Sequence, residues 1–99
     1  MSYSLAQHIK TWNSIPRSRK ATAIKPIFEL LGIEATTENS GIHWKIRADK
    51  YIIDIWPTTE KMNVVHKDVI IEGHKAVDEF NGIENILKQL VSLIVRVEI

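Results

Sequence analysis

The residue types best suited to chemistry are gathered in one stretch, Gly41 to Lys61, GIHWKIRADKYIIDIWPTTEK. Basic side chains beside an aromatic ring are what a phosphate backbone and a stacked base require, and His43, Lys45, Arg47, Asp54 and Trp56 supply that set. His43 adds a group able to act as general acid or base. Their spacing makes them one surface. With Asp49-Lys50 as a two-residue turn, Ala48 faces Tyr51, Ile46 faces Ile53 and Trp44 faces Ile55 on one side of a hairpin. On the other side Arg47 meets Ile52, Lys45 meets Asp54 and His43 meets Trp56, so a single register sorts an apolar face from a mixed basic and aromatic one. The plainer reading of that second face is a solvated sheet surface with an ordinary Lys45 and Asp54 pair, worth about 0–1 kcal/mol.

Other chemistries find little support. The four histidines, His8, His43, His66 and His74, show no close ligand spacing, and the chain has no cysteine, so neither a metal nor a cofactor is expected. No Gly-rich phosphate loop, nucleophile elbow or Ser-His-Asp signature is present. An enzyme is therefore disfavoured. The formal net charge is +1, so nucleic-acid binding would have to rest on a local patch. Arg17, Arg19 and Lys20 form a second basic run, which reads more simply as a solvated helix start. Pro57 and Lys61, next to Trp56, complete the candidate binding residues.

A chain of 99 residues holds one domain, burying about 60–70% of its unfolded surface. Its start, MSYSLAQHIK, lacks the basic-then-apolar pattern of a signal peptide, and no segment approaches the roughly 20 apolar residues that span a bilayer. The expectation is a cytoplasmic protein without a membrane partner.

Periodicity supplies the elements that position the site. Residues 3–13 place Leu5, Ile9 and Trp12 at helical spacing, with Ser4 as cap. Pro16 opens a second helical segment with the stripe Ala21, Ile24, Phe28 and Leu31, leaving Arg17, Arg19, Lys20 and Lys25 outside it. Pro26 predicts a kink or fresh start at Lys25, and Gly32 with Ile33 predicts a C-terminal cap. Ile33 to Thr37 reads as a first strand, and Glu38 to Gly41 as the turn into the central hairpin. Thr58 to Lys61 reads as a turn, Met62 to Val65 and Val69 to Ile71 as short strands, and Gly73 to Gly82 as a loop with one helical turn around Val77 and Phe80. Ile83, Ile86, Leu87 and Leu90 predict a last helix over 83–93, capped by Asn81. Val95, Val97 and Ile99 fit either a terminal strand or a helical extension. The core should bring Trp44, Ile46, Ile53 and Ile55 against Phe28, Leu31, Leu87 and Leu90, with Trp12 also inside.

The combination of Gly41-Ile42-His43-Trp44, then Ile53 to Lys61, then Gly82-Ile83 running into Leu87, resembles small uncharacterised bacteriophage proteins. Those proteins carry a His-Trp strand, an Asp-aromatic-aromatic-Pro-Thr-Thr-Gly-Lys segment and a Gly-Ile or Gly-Val entry to a terminal helix. The resemblance covers about the second half of the chain, and Glu60 stands where the pattern has glycine. The order helix, three strands, helix over 17–94 is also similar to double-stranded-RNA-binding domains and to HicA-type toxins, which are small ribonucleases. In the toxins a histidine on the second strand is catalytic, and His43 occupies the comparable place. Ile42 departs from the Gly-Ser that precedes that histidine, and the lysine-rich helix start of the RNA-binding domains is replaced by Gly82-Ile83-Glu84-Asn85.

These readings converge on a single α+β domain over 1–99. An antiparallel sheet of three or more strands packs against helices in the order α-α-β-β-β-α, the helix of 1–13 being added to a 17–94 core. The resemblance implies a small phage-type accessory protein that acts by binding a host protein or nucleic acid in a host-takeover or anti-defence role, within the host cytoplasm. The helix of 1–13, with its stripe Leu5, Ile9 and Trp12, either packs back on the domain or presents that stripe to a partner such as a second copy, so a homodimer is compatible. The alternative is an RNA-binding or HicA-like ribonuclease domain using the His43 face.

Overall fold

The computed structural model describes residues 5–38 and 42–94, without the side chains of Leu5, Ala6 and His8. The Ser4 cap, residues 39–41 of the expected turn and the ending at 95–99 lie outside the described residues, while Glu38, expected to open that turn, belongs to a strand instead. Helices α1 (Leu5–Trp12), α2 (Arg17–Ala23) and α3 (Lys25–Leu31) come first. Strands β1 (Thr36–Glu38), β2 (His43–Arg47), β3 (Tyr51–Trp56), β4 (Lys61–Ile71) and β5 (His74–Asn81) follow, and α4 (Ile83–Leu93) closes the order. The strands form one five-stranded antiparallel sheet in sequence order, so the chain is a single α+β domain. No described helix is long and apolar enough to cross a membrane.

The helical segment breaks where Pro26 demands it. Ile24 ends α2 and leads into α3, and the proline sits in the first turn of α3, where its missing N–H has no helical acceptor to lose. Gly32 then takes a left-handed φ of 69°, and the Ile33 N–H donates to the Phe28 carbonyl at 2.9 Å, which makes the predicted cap. Because Ile33 is spent on that cap and buried, the first strand starts three residues later than its β-branched run suggests, at Thr36.

The central hairpin has the expected register, with Trp44 opposite Ile55, Lys45 opposite Asp54, Ile46 opposite Ile53 and Arg47 opposite Ile52. The Ala48 N–H donates to the Tyr51 carbonyl at 2.9 Å and closes the Asp49-Lys50 turn. Trp44, Ile46, Ile53, Ile55, Met62 and Val64 on the covered face join Trp12, Ile24, Ile27, Phe28, Ile86, Leu87 and Leu90 from the helices in one buried cluster. Leu31 packs at its margin. Phe28 meets Trp44 edge to face at 5.5 Å, and the Trp44 indole N–H donates to the Ala21 carbonyl at 2.8 Å.

Two expectations need correction. Met62 to Val65 and Val69 to Ile71 belong to one strand, β4, whose ladder with β5 shifts register between Val65 and Ile70 and so absorbs the polar residues between them. The segment after Gly73 is strand β5, not a loop with a helical turn. Glu72 and Gly73 have φ of 52° and 82°, and two positive φ values in a row are what a tight hairpin turn between twisted strands requires. Tyr51 opposite His66 is the last pair of β3 with β4, so beyond it β4 and β5 continue as a two-stranded arm.

The cap of α4 also differs. Asn81 lies in β5, opposite Lys61, and the cap position is Gly82, which offers no side chain. Glu60 does the work from a distance: its Oε1 accepts from the Ile83 N–H at 3.0 Å and its carbonyl from the Gly82 N–H at 2.9 Å. Its Oε2 lies 3.8 Å from Lys20 Nζ. A carboxylate here also meets the positive end of the helix dipole. Glu60 holds a φ of 52°, a conformation that suits the glycine of the resembled pattern. Glu60→Ala keeps the strain and loses the cap, and should cost about 0.5–2 kcal/mol by urea denaturation. Glu60→Gly sheds the strain as well, so its cost should be smaller than that of the alanine variant.

Candidate binding surfaces

The hairpin face opposite the core carries the predicted constellation, and the structure brings most of it together. His43 stacks on Trp56 with ring centroids 4.7 Å apart and planes within 6°. Its Nε2 donates to Asp54 Oδ1 at 2.7 Å, and its Nδ1 lies 3.4 Å from Glu38 Oε2 on β1. Lys45 Nζ is 3.8 Å from the same Asp54 oxygen. Asp54 is thus shared, and the diagonal histidine holds it more closely than the lysine directly opposite. A flat ring fixed by stacking can sit at one good hydrogen-bond distance, whereas a long lysine stem keeps its freedom.

This geometry weighs against catalysis. A general base needs one ring nitrogen free for substrate. Here one nitrogen is committed to Asp54, the other faces Glu38, and the His43 side chain is only 16% exposed. Sequence reasoning missed Glu38, because it reads as the start of a turn, whereas it ends β1 and the pairing with β2 sets it opposite His43.

The remaining predicted residues are dispersed. Arg47 is exposed, with one long contact of 3.5 Å to the Thr36 hydroxyl. Lys61 is exposed and lies opposite Trp56. With Asn63, Glu79 and Asn81 these two residues line an open depression of about 510 Å³. Pro57 is fully buried, which corrects its place among the binding residues: it anchors the turn after β3 and presents no surface. Arg17 and Arg19 are exposed and Lys20 leans over the Trp12 ring at 5.5 Å. All three belong to the helical layer, so the sheet separates them from Lys45 and Arg47 and the two basic groups form no common groove.

A different surface was not anticipated. Along β4 every residue from Asp68 onward is exposed. Val69, Ile70 and Ile71 are 46%, 59% and 60% exposed. Adjacent strand residues point to opposite faces, so the arm ends apolar on both sides. The signal was present as a Val-Ile-Ile run against Glu-Gly, but glutamate at a positive φ is rare and hid the turn. Across the arm His66 Nε2 donates to Asp78 Oδ2 at 2.7 Å, with the Tyr51 ring edge-on at 5.2 Å. Among the described residues no cluster of three or more His, Cys, Asp or Glu could hold a metal ion. Compared with protein-family models, curated proteins and solved structures, the chain has no match.

Proposed function

We propose that this is a small phage-type accessory protein that acts by binding a host protein, without catalysis, through the end of the β4–β5 arm. The observation that carries this reading is the exposure of Val69, Ile70 and Ile71 at the tip of a tightly turned hairpin. Contiguous exposed apolar side chains on a small domain mark an interaction surface. The phage-type role itself rests on the resemblance in the second half of the chain. Against a nucleic-acid partner stand the acidic neighbours of the basic face: Lys45 shares Asp54 with His43, and Glu38 sits beside them. What favours that second reading is the exposure of Arg17 and Arg19, which make no ion pair among the described residues.

The test compares wild type with Ile70→Lys/Ile71→Lys in capture from bacterial host lysate, with and without nuclease. Expected is a captured protein that survives nuclease and is lost with the arm variant. A parallel titration with RNA and DNA at low salt should show no saturable binding. Saturable binding that weakens in Lys45→Ala/Arg47→Ala, with a salt dependence flattened by about two contacts, would replace this reading with a nucleic-acid binder. Cleavage of RNA abolished by His43→Ala would replace it with the ribonuclease.

A further inference from the structure

The outer edge of β5 carries a symmetric pattern. In a sheet ordered β1-β2-β3-β4-β5, the two edges are β1, with three residues, and β5, with eight. Among the described residues no strand pairs the outer side of β5. Long edges are usually blunted by proline, by a bulge or by a charge turned inward. β5 has no proline, the register shift of the arm places the extra residues in β4, since 66–69 there lie across from Ala76 alone, and its one charge on the covered face, Asp78 opposite Val64, is already held by His66. The strand HKAVDEFN is a continuous edge with Lys75, Val77, Asp78 and Glu79 all exposed.

A second copy can add to such an edge by a two-fold axis, and an isologous antiparallel pair must set one residue opposite itself. Centring on Lys75, Asp78 or Glu79 puts like charges face to face, which is destabilising. Centring on Ala76 leaves Lys75 against Val77. Centring on Val77 sets Lys75 opposite Glu79 of the second copy on both sides of the axis, and puts Ala76 opposite Asp78, whose carboxylate His66 already holds. Ile52, Val65 and Val77 form one cross-strand row on the open face. Only this register continues that row, without interruption, into the Val77, Val65 and Ile52 of the second copy.

We infer that the protein dimerises by antiparallel pairing of β5 with β5 of a second copy, centred on Val77 and held in register by two Lys75 to Glu79 pairs. The result is a continuous ten-stranded sheet with both helical layers on one side. Val69, Ile70 and Ile71 lie on β4, and although Lys75 pairs with Ile70 across the arm, Val77 and Glu79 pair with Val65 and Asn63 away from its tip, so variants at 77 and 79 test the dimer apart from the partner-binding arm.

Sedimentation equilibrium of the intact chain reads the first consequence. The wild type should be dimeric, and Lys75→Glu or Glu79→Lys alone should weaken association about tenfold or more, because each places two like-charge pairs across the axis. The double variant Lys75→Glu/Glu79→Lys should restore it. Because the chain has no cysteine, single replacements report register directly. Under mild oxidation Val77→Cys should cross-link, since directly opposed Cβ atoms lie about 4.5–5.5 Å apart. Ala76→Cys and Asp78→Cys should not. A wild type that stays monomeric, a charge swap that fails to recover the dimer, or faster cross-linking at 76 or 78 than at 77 would each overturn the inference.

Discussion

Replacing Ile53 with alanine should lower the stability by about 2–5 kcal/mol, and Ile53→Val by about 0.5–1.5 kcal/mol. Ile53 is fully buried in the middle of the covered face, between Ile46 on β2 and Val64 on β4. It has close-packed neighbours on both sides in the sheet and the helices above it, so the void left by truncation has little means of collapsing. For a domain whose total stability is about 5–15 kcal/mol, that loss is a large fraction of the whole. Ile52 provides the control. It sits next in sequence but on the open face, half-buried, so Ile52→Ala should cost distinctly less. Urea midpoints for the three variants check the prediction, and an Ile52→Ala cost equal to that of Ile53→Ala would contradict the face assignment.

Trp12→Ala should cost about 3–5 kcal/mol, through lost burial and the cavity that replaces the indole. Trp12 is fully buried and Ile9 packs, half-buried, against the core cluster, so α1 is part of the domain and not an appendage. Deleting residues 1–13 should lower Tm by at least about 12 °C, at about 4 °C per kcal/mol for a domain of this size. An unchanged melting curve would mean that α1 does not cover the core. The two buried tryptophans should also respond differently to phenylalanine. Among the described residues the Trp12 indole N–H meets no acceptor, whereas that of Trp44 donates to Ala21 at 2.8 Å. Trp44→Phe removes that hydrogen bond to the half-buried Ala21 and carries an added penalty of about 0.5–1.5 kcal/mol that Trp12→Phe avoids.

The parts of the fold legible in the sequence are those in which burial writes a period. The alternation through Trp44, Ile46, Ile53 and Ile55 fixes the hairpin register because one face is covered by helices, and the helical stripes are readable for the same reason. β5 is different. Only Ala76 and Phe80 are half-buried there, so no alternation records the strand, and the three-residue spacing of Val77 and Phe80 imitates a helix. In β4 the polar run His66-Lys67-Asp68 reads as a break because a ladder irregularity cannot be seen in one strand alone. The candidate site was legible as a list of residues on one face. Its internal pairing was not: cross-strand register names the residue directly opposite, Lys45, while stacking against Trp56 set the diagonal His43 on Asp54.

Glu60 bears on the order in which the molecule is assembled. A helix of 11 residues with no capping side chain of its own is marginal in isolation, and nucleation is its costly step. The cap for α4 comes from a residue 23 positions earlier, in the turn between β3 and β4, so it exists only after those strands have paired. The strands pair with their sequence neighbours, contacts that form early because little chain must be closed. Helix α4 should therefore dock late, onto a hairpin stack already in place. Weakening the Glu60 cap then accelerates unfolding while leaving the refolding rate almost unchanged.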